Sequence, residues 1–221
     1  MKTRFCHLLV LLAVSLPLML SAQQISKADL IMLTPEWKGE RFADGRPKVP
    51  DALLDRLKKA THEEAWAVLK GKNFKHQYTD GWMTINPDSV LVGRAVTATF
   101  MPGRPDVHRV YDEKGHTKDG RIKSQNAWPI DMLVKRDVYV VDQHDIILDG
   151  PTIGDNLGNS IYAKTGNGIV YDGAIRDISG LREIGSFTSF FRAYHPSHHL
   201  NNPSGELNTT LVGINQPTRI G

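Results

Sequence analysis

Residues 154–177 decide the fold, and they read Gly154-Asp-Asn-Leu-Gly158 at the start and Gly168-Ile-Val-Tyr-Asp-Gly-Ala-Ile-Arg-Asp177 at the end. Asp155 is separated from the adjacent pair Arg176 and Asp177 by twenty residues. This spacing suits a strand-to-helix turn at Asp155, followed by a helix and a return strand that ends at the pair. We therefore expect two carboxylates and one guanidinium to meet in a single cleft, where they can hold a divalent cation beside an oxyanion.

The elements around this stretch alternate between strands and helices. The pattern predicts a helix over residues 157–165 and a buried strand over residues 168–171. Upstream, it predicts a strand over 90–100 and a buried strand over 137–142, with a short helix beginning at Trp128. Strands that alternate with helices favour an α/β domain with parallel pairing.

The remaining segments connect or precede these elements. Residues 102–124 are polar and rich in glycine, which predicts a long loop. Residues 50–71 have apolar side chains at helical spacing, a proline at the start and a glycine at the end, which predicts one helix. Residues 23–49 predict an irregular arm. We expect its Trp37 and Phe42 to pack onto the domain or onto a neighbouring subunit.

Asp155, Arg176 and Asp177 match a family signature without a gap, namely an Asp, twenty residues, and then Arg-Asp. On this signature the chain resembles the RraA-like, class II pyruvate aldolase family, also called the 4-hydroxy-4-methyl-2-oxoglutarate aldolases. The likeness covers roughly residues 49–221, so residues 50–221 are assigned to an RraA-like domain. It extends into three further stretches, Pro50-Asp-Ala-Leu-Leu-Asp-Arg-Leu57, Leu91-Val-Gly-Arg-Ala-Val-Thr97 and Asp177-Ile-Ser-Gly-Leu-Arg-Glu-Ile-Gly185.

The resemblance implies a particular architecture. Its fold is α/β, of the compact β/β/α swivelling-domain type, with a mixed sheet and flanking helices. It also implies a homotrimer, or a hexamer made of two trimers, with active sites between subunits. Family chains usually continue beyond the point that matches Gly221, through strands that lend an acidic residue to the neighbouring subunit. Two interpretations follow, a C-terminally truncated fragment or an unusual ending.

The resemblance also implies a role for each residue of the signature. It places a divalent cation, Mg²⁺ or Mn²⁺, on Asp177, which suits a hard ion that prefers oxygen ligands and keeps several waters. It implies that Asp155 orients a water that relays a proton to the substrate. Arg176 is permanently charged and a forked donor, so it suits the oxyanion of a 2-oxo acid, for both catalysis and binding.

The start of the predicted helix supplies the rest of the expected substrate site. The backbone N–H groups of Asn156, Leu157 and Gly158 would face the substrate carboxylate, because helix N-termini attract anions. Gly154 and Gly158 would permit close approach. Two simpler interpretations compete with this one: Asp155 could serve only as a helix N-cap, and the pair after the strand could be a surface ion pair.

The function implied by the resemblance is a metal-dependent lyase. It would cleave a pyruvate-derived 4-hydroxy-2-oxo acid by a retro-aldol reaction and decarboxylate oxaloacetate as a side reaction. The alternative is a non-catalytic RraA-like binding or regulatory protein that binds a small 2-oxo acid. A third interpretation keeps the metal site but changes the substrate, with Trp82, Trp128 and a histidine loop forming the pocket.

The histidine loop departs from the family pattern. It reads Tyr194-His-Pro-Ser-His-His199, and its three imidazoles, on His195, His198 and His199, could bind a transition metal or shape the pocket. The simpler interpretation is a polar loop whose imidazoles meet water, and we favour it.

Residues 1–22 predict a cleavable signal peptide and hence a secreted or periplasmic protein. Lys2 and Arg4 give a positive start, residues 8–20 are uncharged and apolar, and Ala22 is small. The apolar run has 13 residues, well short of the roughly 20 that span a bilayer, so we predict no stable membrane anchor.

Charge and cysteine content exclude two further classes. Without the predicted signal, the formal charge falls from +3 to +1, which argues against binding of nucleic acid. Cys6 is the only cysteine and lies within residues 1–22, so the mature chain has no disulfide.

Overall fold

The computed structural model describes residues 23–199 and 207–221. These residues form seven helices and six strands, and they confirm the expected α/β class with a mixed sheet and flanking helices. In chain order the elements are α1 (Lys27–Met32), α2 (Asp51–Leu57), α3 (His62–Gly71), β1 (Met83–Thr84), β2 (Arg94–Pro102), α4 (Pro105–Thr117), α5 (Trp128–Asp131), β3 (Asp137–Asp142), α6 (Asp155–Thr165), β4 (Ile169–Ile175), α7 (Ile178–Arg182), β5 (Ser189–Tyr194) and β6 (Thr209–Ile214).

The strands form one sheet in the order β1-β5-β4-β3-β2-β6. The four central strands, β5, β4, β3 and β2, are mutually parallel, and the edge strands β1 and β6 pair antiparallel. The carboxyl ends of parallel strands lie at one edge of a sheet, which is where open α/β sheets bind ligands. The segments that follow β3, β4 and β5 therefore meet at this edge.

Strand β4 is central in the sheet, and Arg176 and Asp177 follow its carboxyl end. Ile169, Tyr171 and Ile175 are fully buried, as expected for a strand covered on both faces. The strand is longer than the predicted 168–171, and α6 begins at Asp155 rather than at residue 157. Both elements nevertheless occur where the sequence predicted them. Their buried residues belong to the core, which fixes the end of β4 and the start of α6.

The prediction of one helix over residues 50–71 was wrong, because the structure has two helices there. The first, α2, ends at Leu57, and the second, α3, begins after Thr61. Thr61 accepts a hydrogen bond from the Glu64 N–H, while the Glu64 carboxylate accepts one from the Thr61 N–H. This reciprocal cap stabilises a new helix start by about 1 kcal/mol and so favours a break before it.

The prediction of a long loop over residues 102–124 was also wrong, because α4 occupies half of it. Pro105 begins the helix, as proline often does. The inward face carries His108 and Gly115 rather than large apolar residues, so hydrophobic periodicity did not reveal it. A Cβ at Gly115 would lie 2.2 Å from Cη2 of Trp128, so the glycine lets α4 pack directly onto that indole.

The N-terminal arm is attached to the domain by a buried ion cluster. The Asp137 carboxylate is fully buried and accepts from Nη1 of Arg46 at 3.0 Å and from Nε of Arg94 at 3.4 Å. The ring of Phe42 lies beneath both guanidinium groups, at 4.9 and 5.5 Å. Phe42 therefore packs onto the domain as expected, whereas the indole N–H of Trp37 donates locally to the Glu40 carbonyl.

Among residues 23–199 and 207–221, no helix is long and apolar enough to cross a membrane. The predicted signal peptide, residues 1–22, lies outside the described residues.

Candidate functional site

The end of β4 and the start of α6 are joined by backbone hydrogen bonding. The Arg176 N–H donates to the Ile153 carbonyl at 3.0 Å, which places Arg176 beside Gly154. The loop that leads to Gly154 is anchored in the core, where the Tyr171 hydroxyl contacts both Gln143 and Thr152. Burial raises the pKa of Tyr171, so this hydroxyl remains a neutral partner. The loop is thus held from both sides before the helix begins.

The side chains of Arg176 and Asp177 converge on Gly154. A Cβ added at Gly154 would lie 2.2 Å from Oδ2 of Asp177 and 3.2 Å from Nε of Arg176, so only glycine leaves room for this arrangement. Arg176 Nε and Asp177 Oδ2 are 3.6 Å apart, which is an ion pair but too long for a hydrogen bond. The two side chains are 22% and 41% exposed, so the ion pair of the simpler interpretation is present and a small ligand can reach both side chains.

Asp177 has an unusual backbone conformation. Its φ of 56° and ψ of 41° lie in the left-handed region, which costs a non-glycine residue about 1–2 kcal/mol. It occupies the cap position before α7, but its side chain makes no cap hydrogen bond. The local conformation therefore turns the carboxylate towards Gly154 instead of towards its own helix. Strain of this kind is typical of functional positions.

Asp155 is the first residue of α6 and packs against α7. Its side chain lies against Gly180 in α7, where an added Cβ would meet Asp155 Cβ at 2.7 Å and Oδ2 at 3.0 Å. The interpretation of Asp155 as an N-cap was wrong, because Gly154 is the cap residue and Asp155 is the first helical residue. All three signature residues therefore lie where α6 and α7 meet, around Gly154.

The expected row of free backbone N–H groups is only partly present. The Gly158 N–H donates to the Gly154 carbonyl at 2.8 Å, and the Asn156 N–H donates to Oδ1 of Asp155 at 2.7 Å. These two groups are thus occupied within the chain, contrary to expectation, because the first helical turn satisfies Gly158 and the Asp155 carboxylate satisfies Asn156. Gly158 instead permits helix packing, since its Cβ would lie 2.3 Å from Cδ2 of Leu181. Leu157 is half-buried beside them.

The residues present fit a hard cation that is held by few protein ligands. In the part of the chain that the structure describes, no group of three or more His, Cys, Asp or Glu side chains could enclose a metal. Mg²⁺ and Mn²⁺ sites use one or two carboxylates and take the remaining oxygens from water and substrate. The Asp177 carboxylate, accessible and held over a glycine, suits such a site.

The same observation argues against a transition metal bound by the three loop histidines. Nδ1 of His195 contacts the Ser197 hydroxyl at 2.9 Å, whereas Nε2 of His199 lies 3.3 Å from Nδ2 of Asn126. His198 stacks on His199 with ring centroids 4.7 Å apart. The imidazoles therefore serve different partners and do not converge on one point.

His199 nevertheless belongs to the neighbourhood of the site. Burial, the adjacent His198 and the positive charge of Arg176 lower the pKa of His199 to about 4. The sequence indicates His199 as a candidate but not its partner Asn126, because nothing in the local pattern links two residues that are 73 positions apart. An asparagine in a polar loop gives no signal by itself.

The two tryptophans considered for the pocket wall lie in different surroundings, and the burial of Trp128 removes it from such a wall. Trp128 is 1% exposed, and its indole N–H donates to the Ile122 and Lys123 carbonyls, so it belongs to the core. Trp82 stacks beneath the guanidinium of Arg192, 3.7 Å from the ring centroid. That cation–π pair joins β5 to the residue just before β1.

Comparison with known proteins agrees with the geometry. Residues 51–216, three quarters of the chain, match the RraA-like family, described as Aldolase/RraA. The chain belongs to the RraA-like family. The resemblance seen in the signature residues is therefore confirmed over nearly the whole domain. No match is found among curated proteins.

Solved structures share the fold at low sequence identity. RraAS2 from Streptomyces coelicolor, described as an unusual member of the RNase ES inhibitor RraA protein family, is 23% identical with a TM-score of 0.56, covering 75% of this chain and 72% of that one. An uncharacterized protein from Pseudomonas syringae pv. tomato is 19% identical with a TM-score of 0.56, covering 78% and 67%. A protein described among novel cellulases of gut-associated microbes is 16% identical with a TM-score of 0.57, covering 89% and 78%.

Proposed function

We propose that this protein is a divalent-metal-dependent lyase that cleaves a pyruvate-derived 4-hydroxy-2-oxo acid by a retro-aldol reaction. The observation that carries the proposal is the convergence of Arg176 and Asp177 on Gly154, next to Asp155 at the start of α6. Family membership supports it, since the RraA-like family includes aldolases. Decarboxylation of oxaloacetate would use the same site, because it produces the same enolate.

In this proposal Asp177 holds Mg²⁺ or Mn²⁺. The ion, when bound, supplies Lewis acidity at the carbonyl oxygen of the 2-oxo acid. Arg176 binds the same end of the substrate and stabilises the negative charge that develops on the C2 oxygen. Its Nε is buried and has no hydrogen-bond partner within the described residues, while 22% of the side chain is exposed, so the guanidinium can offer its accessible N–H groups to a substrate oxygen.

Asp155 directs proton transfer between the substrate and a bound water. Cleavage transfers the proton of the C4 hydroxyl to the water that Asp155 orients, turns C4 into a carbonyl carbon and moves the electron pair of the C3–C4 bond into the enolate of pyruvate. Asp155 orients a water that returns a proton to C3 and releases pyruvate. Its half-buried carboxylate lies against Gly180 and accepts from the Asn156 N–H, which fixes its direction.

The test is release of pyruvate from several 4-hydroxy-2-oxo acids and from oxaloacetate, with Mg²⁺, with Mn²⁺ and with a chelator. We expect turnover that requires the metal, its loss in Asp177→Asn, and a fall of about 100- to 1,000-fold in Arg176→Lys. Asp106→Asn and Arg104→Lys are matched controls, because those residues form an exposed ion pair on α4. Absence of metal-dependent turnover in the assembled protein would refute the lyase proposal.

A non-catalytic role in binding or regulation is the second candidate. It is favoured by the similarity to RraAS2, whose family is described as inhibitors of RNase ES. Calorimetry with pyruvate or oxalate, with and without Mg²⁺, separates the two candidates. Tight metal-dependent binding without turnover of any substrate would favour a binding protein.

We further propose that the protein acts outside the cytoplasm, since residues 1–22 have the pattern of an export signal. N-terminal sequencing of the protein recovered from its native host tests this. A mature chain that begins near residue 23 is expected, whereas a retained Met1 would contradict it.

A further inference from the structure

His199 carries a buried hydrogen-bond donor or acceptor that nothing in the described chain satisfies. The side chain is 9% exposed, and its Nδ1 has no partner among the described residues. Leaving such a group unpaired costs about 1–3 kcal/mol, so native structures rarely do so without a reason. The other ring nitrogen, Nε2, is engaged by Asn126 at 3.3 Å.

The contact with Asn126 defines which nitrogen carries the proton. The Asn126 amide is oriented with its oxygen 2.7 Å from the Ser124 hydroxyl, which donates to it, and with its nitrogen towards Nε2 of His199. An amide nitrogen can only donate, and Nε2 must therefore accept. The proton of the neutral ring then lies on Nδ1, which makes Nδ1–H an unused donor. The lowered pKa of His199 is consistent with a neutral ring.

The loop that carries His199 is pinned at the carboxyl edge of the sheet. The His195 N–H donates to the Ile175 carbonyl at 3.1 Å, directly before Arg176. The Ser197 hydroxyl accepts from the Asp149 N–H at 2.8 Å, and the His199 carbonyl accepts from the Asn208 N–H at 2.9 Å. His199 is thus held near Arg176 by segments other than α6 and α7.

Arg176 has the same unmet requirement, because its Nε is also buried without a hydrogen-bond partner in the described residues. The charge of Arg176 is one of the causes that lower the pKa of His199, so the two side chains with unpaired nitrogens lie in one neighbourhood. The two come from different loops, so they can contact different parts of one ligand. A ligand with oxygens at two separated positions would satisfy both.

We propose that His199 is a specificity-determining residue, whose Nδ1–H donates to a substrate oxygen beyond the pyruvyl unit, either a hydroxyl or a carboxylate. This inference rests on the proposed function, in which Arg176 binds the 2-oxo end. The site would then favour 2-oxo acids that carry a distal oxygen over pyruvate itself. Asn126 is a positioning residue in this arrangement, because it acts only through the imidazole.

The experiment compares two stable probes by calorimetry in the presence of Mg²⁺, pyruvate and 2-oxoglutarate, of which only the second has a distal carboxylate. His199→Gln keeps an amide near the Nε2 position but loses the donor at Nδ1. We expect this variant to bind 2-oxoglutarate about 10- to 100-fold more weakly and to bind pyruvate within about twofold of the wild type. His199→Asn, which keeps an amide near the Nδ1 position, should lose less. His195→Asn is the control from the same loop, because its amide oxygen can still accept from the Ser197 N–H in place of Nδ1.

Each outcome is decisive. Equal binding of 2-oxoglutarate by the wild type and His199→Gln, or equal losses for both probes, would overturn the subsite while leaving the proposed function standing. A wild type that binds neither probe would overturn the proposed function and the subsite with it. Long-range ¹H–¹⁵N spectra of the wild type provide a readout that does not depend on binding. They should show a neutral His199 protonated at Nδ1, and a proton on Nε2 would contradict the proposal.

Discussion

At the scale of one residue, Gly154 determines the geometry of the candidate site. The side chains of Arg176 and Asp177 occupy the space that a side chain at this position would fill. Its φ of −133° and ψ of −166° are accessible to alanine, so a substitution acts through contact rather than through backbone strain. In Gly154→Ala the new methyl group must displace the Asp177 carboxylate, which lies 2.2 Å from its position. We expect Mg²⁺ binding to weaken at least about tenfold, as measured by calorimetry, with the thermal midpoint little changed.

Gly71→Ala is the matched control for this substitution. Gly71 ends α3, and an added Cβ there meets no atom within 4 Å. It should leave metal binding unchanged and stabilise the protein by up to about 1 kcal/mol, since alanine is the better helix residue. If Gly154→Ala bound Mg²⁺ as well as Gly71→Ala does, Asp177 would not be the ligand.

His199 makes the stability of the protein depend on pH. Its pKa is lowered to about 4 in the folded state, from 6.5, by burial first and then by His198 and Arg176. Between pH 4 and 6.5 the unfolded chain therefore binds more protons than the folded one, so stability falls as the pH is lowered through that range. The full difference is at most about 3 kcal/mol.

Urea unfolding at pH 7 and pH 4.5 measures this effect. His199→Gln should lose less stability between the two values than the wild type does, because it lacks the titrating ring. His62→Gln, at an exposed position on α3, should behave as the wild type. An unchanged pH dependence in His199→Gln would show that other groups cause it.

At the scale of elements, the buried cluster of Asp137, Arg46 and Arg94 connects the arm to β2 and β3. Arg46→Ala removes one cation from a fully buried carboxylate, and breaking such a pair costs about 3–5 kcal/mol. Chemical denaturation should show a loss of that size, together with faster proteolysis within residues 23–49. Arg104→Ala, which breaks the exposed pair with Asp106, is the control and should cost less than about 1 kcal/mol.

The elements also show what can be predicted from sequence. Strands β3 and β4 are predictable because each contains an unbroken run of apolar residues, and helix α6 because it follows the strand-to-helix turn expected at Asp155. Helix α4 was missed because it packs through His108 and Gly115, and its neighbour Trp128 supplies the apolar surface instead. The break before α3 does have a signal, since Thr61-His-Glu-Glu64 is a capping-box sequence, but the apolar spacing continues across it and by itself predicts one helix.

The candidate site likewise contains residues that the sequence predicts and contacts that it does not. Arg176 and Asp177 follow the carboxyl end of β4, and Asp155 begins α6, which follows the carboxyl end of β3. The carboxyl ends of these parallel strands lie at one edge of the sheet, so the signature residues come together there. The contact of His199 with Asn126 joins two loops with no period, and the orientation of Asp177 depends on a left-handed φ that its residue type does not require. Such contacts follow from tertiary packing, so they need the structure.

At the scale of the whole molecule, the helices before the sheet expose apolar side chains. None of the residues of α3 is buried, and Leu57, Trp66 and Val68 are 51%, 45% and 60% exposed. Leu53, Phe74 and Tyr78 extend the same run of exposed apolar residues. Several large apolar side chains exposed along one stretch of chain are typical of a surface that another protein covers.

We therefore expect α2 and α3 to contact neighbouring subunits in a homotrimer or a hexamer, as the family resemblance implies. Light scattering coupled to size exclusion should show that assembly at micromolar concentration. Leu57→Glu and Val68→Glu should shift it towards the monomer, because a desolvated carboxylate opposes association. Val110→Glu on α4, at a residue that is 64% exposed, is the control and should assemble normally. If active sites lie between subunits, the two variants should lose turnover as they lose assembly, although their Arg176 and Asp177 are intact. A monomeric wild type with full turnover would contradict both the expected assembly and the placing of active sites between subunits.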